Sequence, residues 1–588
     1  MALITILLVF AVLGVALCAE NQSFLDIHLG TIKQMLQRRE GEIARLAGLI
    51  HKDKDPVIDA HSLKFLMDIQ DGQDSICDDA CVWFIREKYL KGQSFMNWEW
   101  FADTITKIYG DAITNDPFQP QELHLALTGD SSKMNIMYVT MQELASPFVQ
   151  WQPKPTSGVA DWSSAATQSM PATTSTYRVP QKWWPIFTGT IYSSNMINLV
   201  DSASYVYRVG GAQPDGTIKY SADFTFKAAP AQDPSRQTVV ATLADHGTFE
   251  LLGFAVTDAI HQQQAARNID LVHVSGDLSY AGLSSAVPAL NIDKEDEFEH
   301  VWDLLFIQNQ PVAATVPWMV TNGNHERFYD WAAFQSRFTM PSNQPQLPSN
   351  GSFWYTYEYG NSRWISLSSE HDLTEGSPQQ IFMIAALEYA KANRNTVPWV
   401  VVSIHKPMYC SADGWGNAEG MSVYQSYLEE TMIKYDVDLM ITGHLHVYER
   451  VHPTKNGQVT VFPKHGPSSN HLNEKSKIDT YYSNGFGPVQ IVQGNAGGMQ
   501  GETWMHPQPA WSGVRFGNGM VPKNESKSVS MDIPGIIEKI KHIKDYDYKD
   551  TYGFGVATFY NRTHMFYENV PVTSHTVGHD SFWIVKRQ

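Results

Sequence analysis

Five short blocks in this chain carry seven side chains of the kinds that bind metal ions. They are Asp245 in ADHG, Asp277 and Tyr280 in GDLSY, Asn324 in GNHE, His405 in SIHKP, and His444 and His446 in GHLH. Each block closes a run that reads as a buried strand. Together they offer enough oxygen and nitrogen donors for two adjacent ions. Two ions a few ångströms apart are what phosphate-ester hydrolysis uses to activate water and hold a phosphoryl group.

The donors sort into two groups. Asp277 directly follows LVHVSG, so its carboxylate projects from a strand end, and its two oxygens can bridge two cations. Tyr280, three residues on, offers a hard phenolate whose ionisation a trivalent ion favours. Asp245 adds a second hard oxygen and His446 a nitrogen, and this group suits a ferric ion. Asn324, His405 and His444, with the shared Asp277, suit a softer divalent ion such as zinc, manganese or ferrous iron. A hydroxide on the ferric side would attack phosphorus in line while the divalent ion holds a phosphate oxygen. His325, beside Asn324, could protonate the leaving oxygen or stabilise the transition state.

Taken singly the blocks say little. A Gly-Asp pair after a strand is often an Asx turn, and a lone His at a strand end more often completes a core. GHLH says more, because one intervening residue puts both rings on one side. The joint order, each block at a strand terminus, carries the argument.

The elements that must position these blocks follow from the patterning. After Pro230, short continuous apolar runs alternate with helical patterns. The predicted strands are Thr238–Ala244, Ile269–Ser275, Trp318–Thr321, Trp364–Ser368, Trp399–Ile404, Leu439–Thr442 and Gln490–Gln493, with helices over 258–267, 292–308, 378–394 and 422–434. Alternating strands and helices make an α/β domain with ligands at strand ends. It spans 231–575, with a charged insertion at 521–550 and a final hairpin from TYGFGVATFYNRTHMFYE. Ahead of it, 118–230 alternates apolar and polar residues between Gly, Asp and Pro turns, the pattern of an antiparallel β-sandwich. Residues 20–117 follow a 3–4 apolar spacing and read as a helical extension.

The chain's 588 residues allow roughly three or four domains. At 43% apolar and 18% charged residues it is globular in composition, and a net charge of −18 argues against a nucleic-acid partner. That charge leaves a small phosphate ester open as substrate, since metal ions supply local positive charge. Residues 1–19 read as a secretory signal peptide, with an uncleaved anchor as the alternative. This implies a secreted chain or an endomembrane or vacuolar lumen, with no stable membrane span after cleavage. Cys77, Cys81 and Cys410 remain, too few for a disulfide framework. Sequons at Asn21, Asn350, Asn524 and Asn561 fit a glycoprotein.

The blocks, with HLALTGD, SSEHD, HKPMYCS, GHLHVYER and IVQGNAGG, resemble the purple acid phosphatases of the larger plant type, within the calcineurin-like metallophosphoesterases. The resemblance covers roughly 118–570. It implies an α/β-sandwich metallophosphoesterase domain behind a fibronectin-III-like β-sandwich. It also implies an Fe(3+) site from Asp245, Asp277, Tyr280 and His446, a divalent site from Asp277, Asn324, His405 and His444, and a substrate-facing His325. Most relatives of this fold carry a ligand His at the third position of the first block. Gly247 stands there, and Tyr280 takes its place, so His246 is expected behind the ligands. His371 and Asp372 line the substrate pocket or serve the fold. The chain departs from the family pattern at Ala244, where Gly is common, and at Gly414-Trp415, where plant members often carry further His.

The expected function is hydrolysis of phosphate monoesters at acidic pH. The alternatives are a phosphodiesterase or nucleotide pyrophosphatase on the same metal core, and a non-catalytic binding protein. Oligomeric state and natural substrate are open.

Overall fold

The computed structural model describes residues 116–586 apart from 157–158, 180–188, 248–250, 282–299, 343–346, 414–416, 467–478, 484–486, 499–502, 518–551 and 573–579. It also describes the paired strands Ile58–Asp59 and Phe95–Met96. The signal run, nearly all of the helical extension, the insertion at 521–550, Asn21, Asn524, Cys77, Cys81 and Gly414-Trp415 lie outside the described residues.

Two antiparallel sheets form the first unit. One orders Gln121–Leu127, Met134–Thr140, Thr190–Met196 and Thr173–Ser175. The other is built on Ser204–Ala212 and Ala145–Pro153. Tyr138 crosses between them, donating its hydroxyl to Gly210 O at 3.2 Å. Alternation in Gln121–Leu127 predicts one wet face, yet every residue of this strand is buried. Its second face packs on the second unit, where Leu123 N donates to Gln310 Oε1 at 3.0 Å and Leu125 bridges Pro317.

The second unit layers two mixed sheets with helices. Parallel strands Thr238–Leu243, Leu271–Ser275 and Trp318–Thr321 lie at one side of an eight-stranded sheet, which continues into the hairpin Gly553–Phe559 and His564–Pro571. Parallel strands Ser362–Leu367, Trp399–Ile404, Leu439–Thr442 and Val489–Gln493 run through a seven-stranded sheet. Each of these runs is buried on both faces, as continuous apolar stretches require. Helices Leu251–Arg267, His300–Ala313, Pro378–Ala392 and Asn417–Lys434 match the helical patterning. The first begins seven residues earlier than its pattern indicates.

Three buried strands are among the elements that escape the patterning. Tyr448–Val451 looks too polar to be interior, but Glu449 accepts the Ser411 amide at 2.7 Å and Arg450 pairs with Asp580 at 3.2 Å, so both charges are buried with partners. Tyr355–Tyr359 is a buried aromatic strand. Asp580–Val585 joins the eight-stranded sheet beyond the expected end at 575, pairing antiparallel with His564–Pro571. Among the described residues, no helix is long and apolar enough to cross a membrane.

Candidate metal centre

Parallel strands point their C-terminal ends the same way, so the blocks that follow them converge on one rim. Asp245 follows Thr238–Leu243, Asp277 and Tyr280 follow Leu271–Ser275, Asn324 follows Trp318–Thr321, His405 follows Trp399–Ile404, and His444 and His446 follow Leu439–Thr442.

Two clusters of donor atoms result. In the first, the Tyr280 hydroxyl lies 3.0 Å from Asp245 Oδ1 and 2.8 Å from His446 Nε2, and these last two are 3.5 Å apart. In the second, Asp277, His405 and His444 bring ligand atoms within 4.8 Å of one another, with His405 Nε2 3.0 Å from Asp277 Oδ2. The clusters abut, since His405 Nε2 is 4.0 Å from Asp245 Oδ1.

The donors fit cations. His405 Nδ1 faces the Ser275 carbonyl at 2.9 Å, so Nδ1 carries a hydrogen and Nε2 is the atom turned to a carboxylate oxygen. His405 Nε2 and Asn324 Oδ1 are both buried without a hydrogen-bond partner. Two facing lone pairs repel unless a proton or metal ion lies between them. Burial works against charge on His405, but Asp277 and Asp245 outweigh it and push its pKa up to about 9. Burial likewise opposes ionisation of Asp277, yet His405 and His325 hold its carboxyl well below the usual range. Burial, and then His405, keep His444 well below the ordinary imidazole value. A tetrahedral ion with bonds near 2.1 Å separates its donors by about 3.4 Å, close to the spacings here.

The backbone at the site is strained. Asp245, Asp277, Tyr280 and His444 take φ of 57°, 50°, 54° and 72°, the left-handed region that non-glycine residues rarely enter. Four of the seven expected ligands share this property.

His325 sits at the rim, with its ring 4.5 Å from that of Tyr280 and Nε2 4.0 Å from Asp277 Oδ2. His246 points away from the donors. Its Nδ1 meets Ala496 O at 3.1 Å, and its Nε2 meets Thr257 Oγ1 and Gln308 Nε2, both at 3.0 Å. Burial drops its pKa to about 4, so it is a neutral interior ring. His371 lies against Trp331 and Phe353 and meets Ser368 Oγ at 2.7 Å through Nδ1. Ser368 Oγ in turn accepts from Asn322 Nδ2 at 2.7 Å, which ties this ring to the Asn324 turn. Asn350 is exposed and Asn561 half-buried in a turn.

Two features escaped the sequence reading. Glu326 in GNHE is buried and binds the backbone of two ligand turns. Burial, then Asp277, push its carboxyl up to about 8, while backbone N–H donors pull it back toward the ionised form. Gly443, the first residue of GHLH, leaves no room for a side chain. A Cβ there would lie 2.4 Å from Asp245 Oδ2 and 2.4 Å from Ala244 Cβ.

Residues 241–448 match the calcineurin-like phosphoesterase family, and residues 120–228 match the purple acid phosphatase N-terminal domain. Purple acid phosphatase 18 of Arabidopsis thaliana is 28% identical over 68% of this chain and 77% of its own length. Acid phosphatase type 7 of Homo sapiens is 28% identical over 67% of this chain and 82% of its own. "Probable inactive purple acid phosphatase 27" of Arabidopsis thaliana is 26% identical over 82% and 72%. A purple acid phosphatase from yellow lupin (Lupinus luteus) seeds has the same fold, with a TM-score of 0.61 at 23% identity, covering 80% of this chain and 75% of that one. The chain therefore belongs to the purple acid phosphatase family of metallophosphoesterases.

Proposed function

We propose that this chain is a secreted acid phosphatase hydrolysing small phosphate monoesters at a binuclear ferric–divalent centre. The observation that carries the reading is the pair of abutting donor clusters, with Asn324 Oδ1 buried without a hydrogen-bond partner and His405 Nε2 set 3.0 Å from the Asp277 carboxylate. Asp245, Tyr280 and His446 would hold Fe(3+). Asn324, His405 and His444 would hold zinc, manganese or ferrous iron, and Asp277 would be shared. Bound there, the ions supply Lewis acidity and water activation. The chain's own residues do the rest. Asp277 sets the separation of the two sites, and the Ser275 carbonyl fixes the tautomer of His405. His325 at the rim is placed to donate a proton to the leaving oxygen, and His371 is assigned to the substrate pocket. Domain limits at 118–230 and 231–575, the fibronectin-III likeness of the first, signal cleavage and glycans on Asn21, Asn350, Asn524 and Asn561 belong to the same proposal.

The names of several relatives favour a second reading, since they are called probable inactive purple acid phosphatases. A non-catalytic binding protein would keep the fold and lose the chemistry. Against it, all seven donor positions are filled here. Turnover of p-nitrophenyl phosphate and bis-p-nitrophenyl phosphate from pH 4 to 8 separates the readings. The proposal expects the monoester to be preferred, with an acidic optimum. Preference for the diester would favour a phosphodiesterase, and no turnover of either by metal-loaded protein would favour the binding protein.

A further inference from the structure

We propose that Glu326 is a positioning residue: its buried carboxylate ties the Asp277 turn to the Asn324 turn and so sets the distance between these two ligands. The proposal rests on the metal-centre reading above and adds a residue to which no role has been given.

The Glu326 side chain is 1% exposed. Its Oε2 accepts from Asp277 N at 3.0 Å and from Gly323 N at 2.7 Å, and its Oε1 accepts from Leu278 N at 2.7 Å. One carboxyl group therefore takes three backbone donors from two separate strand-end loops. Gly276 and Asp277 are both left-handed, at φ 92° and 50°. Consecutive amides in such a turn can face the same side and form a cradle for an anion. The Glu326 carboxylate fills it from the chain itself.

The two loops are otherwise close enough for small errors to matter. His325 N donates to Asp277 Oδ1 at 2.9 Å, and a Cβ on Gly323 would lie 2.3 Å from the same oxygen. Rotation of the Asp277 turn would swing its carboxylate away from His405 and Asn324 together. Glu326 opposes that rotation because its two oxygens grip both sides of the hinge. A glutamine of the same size has one acceptor oxygen and turns an N–H₂ group against the remaining amides. Reach and two acceptor oxygens are thus both required.

The test compares the full-length protein with Glu326→Gln and Glu326→Asp. Each is stripped by chelation and titrated calorimetrically with zinc, and the metal-free forms are melted in parallel. The proposal expects zinc affinity in Glu326→Gln to fall by about tenfold to a hundredfold, the range for residues that orient metal ligands. Glu326→Asp, which keeps both acceptor oxygens but is one carbon short, falls between the two. A merely structural role would lower the melting temperature of the metal-free protein and leave zinc affinity unchanged in the folded state, and that result overturns the proposal. If Glu326→Gln does not fold, Glu326→Asp is read alone: weakened zinc binding supports the proposal and unmutated affinity overturns it. Failure of the unmutated protein to take up zinc is a different outcome, seen in the control, and it removes the metal-centre reading beneath.

Discussion

Tyr280 brings a phenol oxygen to within 3.0 Å of Asp245 and 2.8 Å of His446, the place where the related phosphoesterases are expected to use an imidazole from the first block. An ionised phenol bound to ferric iron absorbs visible light, whereas an imidazole does not. Tyr280→Phe keeps the ring that packs on His325 and removes the oxygen alone. Iron-loaded Tyr280→Phe is expected to lose the visible band; an unchanged spectrum would remove Tyr280 from the coordination sphere. The donor types were legible in the sequence, because Asp, Asn, Tyr and His at strand ends are chemically unusual together. Glu326 was not, since a carboxylate beside His325 reads equally well as a ligand, a cap or a surface charge. Only its three backbone partners reveal what it does.

The strands and their turns explain how chemically ordinary residues come together as two clusters of donor atoms. Continuous apolar runs fixed where the strands lie, and all seven predicted core strands are present with small shifts at their ends. The turns were beyond sequence reasoning. Left-handed backbone at Asp245, Asp277, Tyr280 and His444 costs about 1–3 kcal/mol each. Local propensity would place glycine or asparagine there, so only the packed surroundings hold these residues in place. Part of that packing is the glycine lining. Gly443→Ala would put a methyl group 2.4 Å from Asp245 Oδ2. Overpacking of this kind costs about 1–3 kcal/mol. The variant is expected to lose that much stability in urea unfolding and to copurify with less metal. Unmutated stability and metal content together would show that the turn yields freely.

Across the whole molecule, the β-sandwich is joined to the catalytic unit by charge in the interior. Arg337, at the end of the helix that follows the Asn324 turn, donates to Glu122 of the sandwich at 3.0 Å and to Asp303 at 2.6 Å, with Tyr177 accepting from Nε at 2.9 Å. All three charged groups are at most 2% exposed at their side chains. Burial raises both carboxyls above their usual range, while Arg337 pulls them back. Arg337→Met removes the cation and leaves two buried carboxylates facing each other. Breaking a buried pair this way costs about 3–5 kcal/mol. The remaining carboxyls would bind protons more tightly folded than unfolded, so the variant's stability falls as pH rises above the unfolded carboxyl range. Urea unfolding should therefore show a larger deficit at pH 7 than at pH 5, and an equal deficit would place the loss elsewhere. The sequence hid this joint, because Glu122 and His124 in an alternating strand read as solvent-facing.

On the proposed reading, the two donor clusters hold two different ions. Metal analysis of the unmutated protein, purified without chelators, measures it directly. Two metal ions per chain, one of them iron and the other divalent, is the predicted result. Protein that is folded, correctly massed and free of both metals would contradict it.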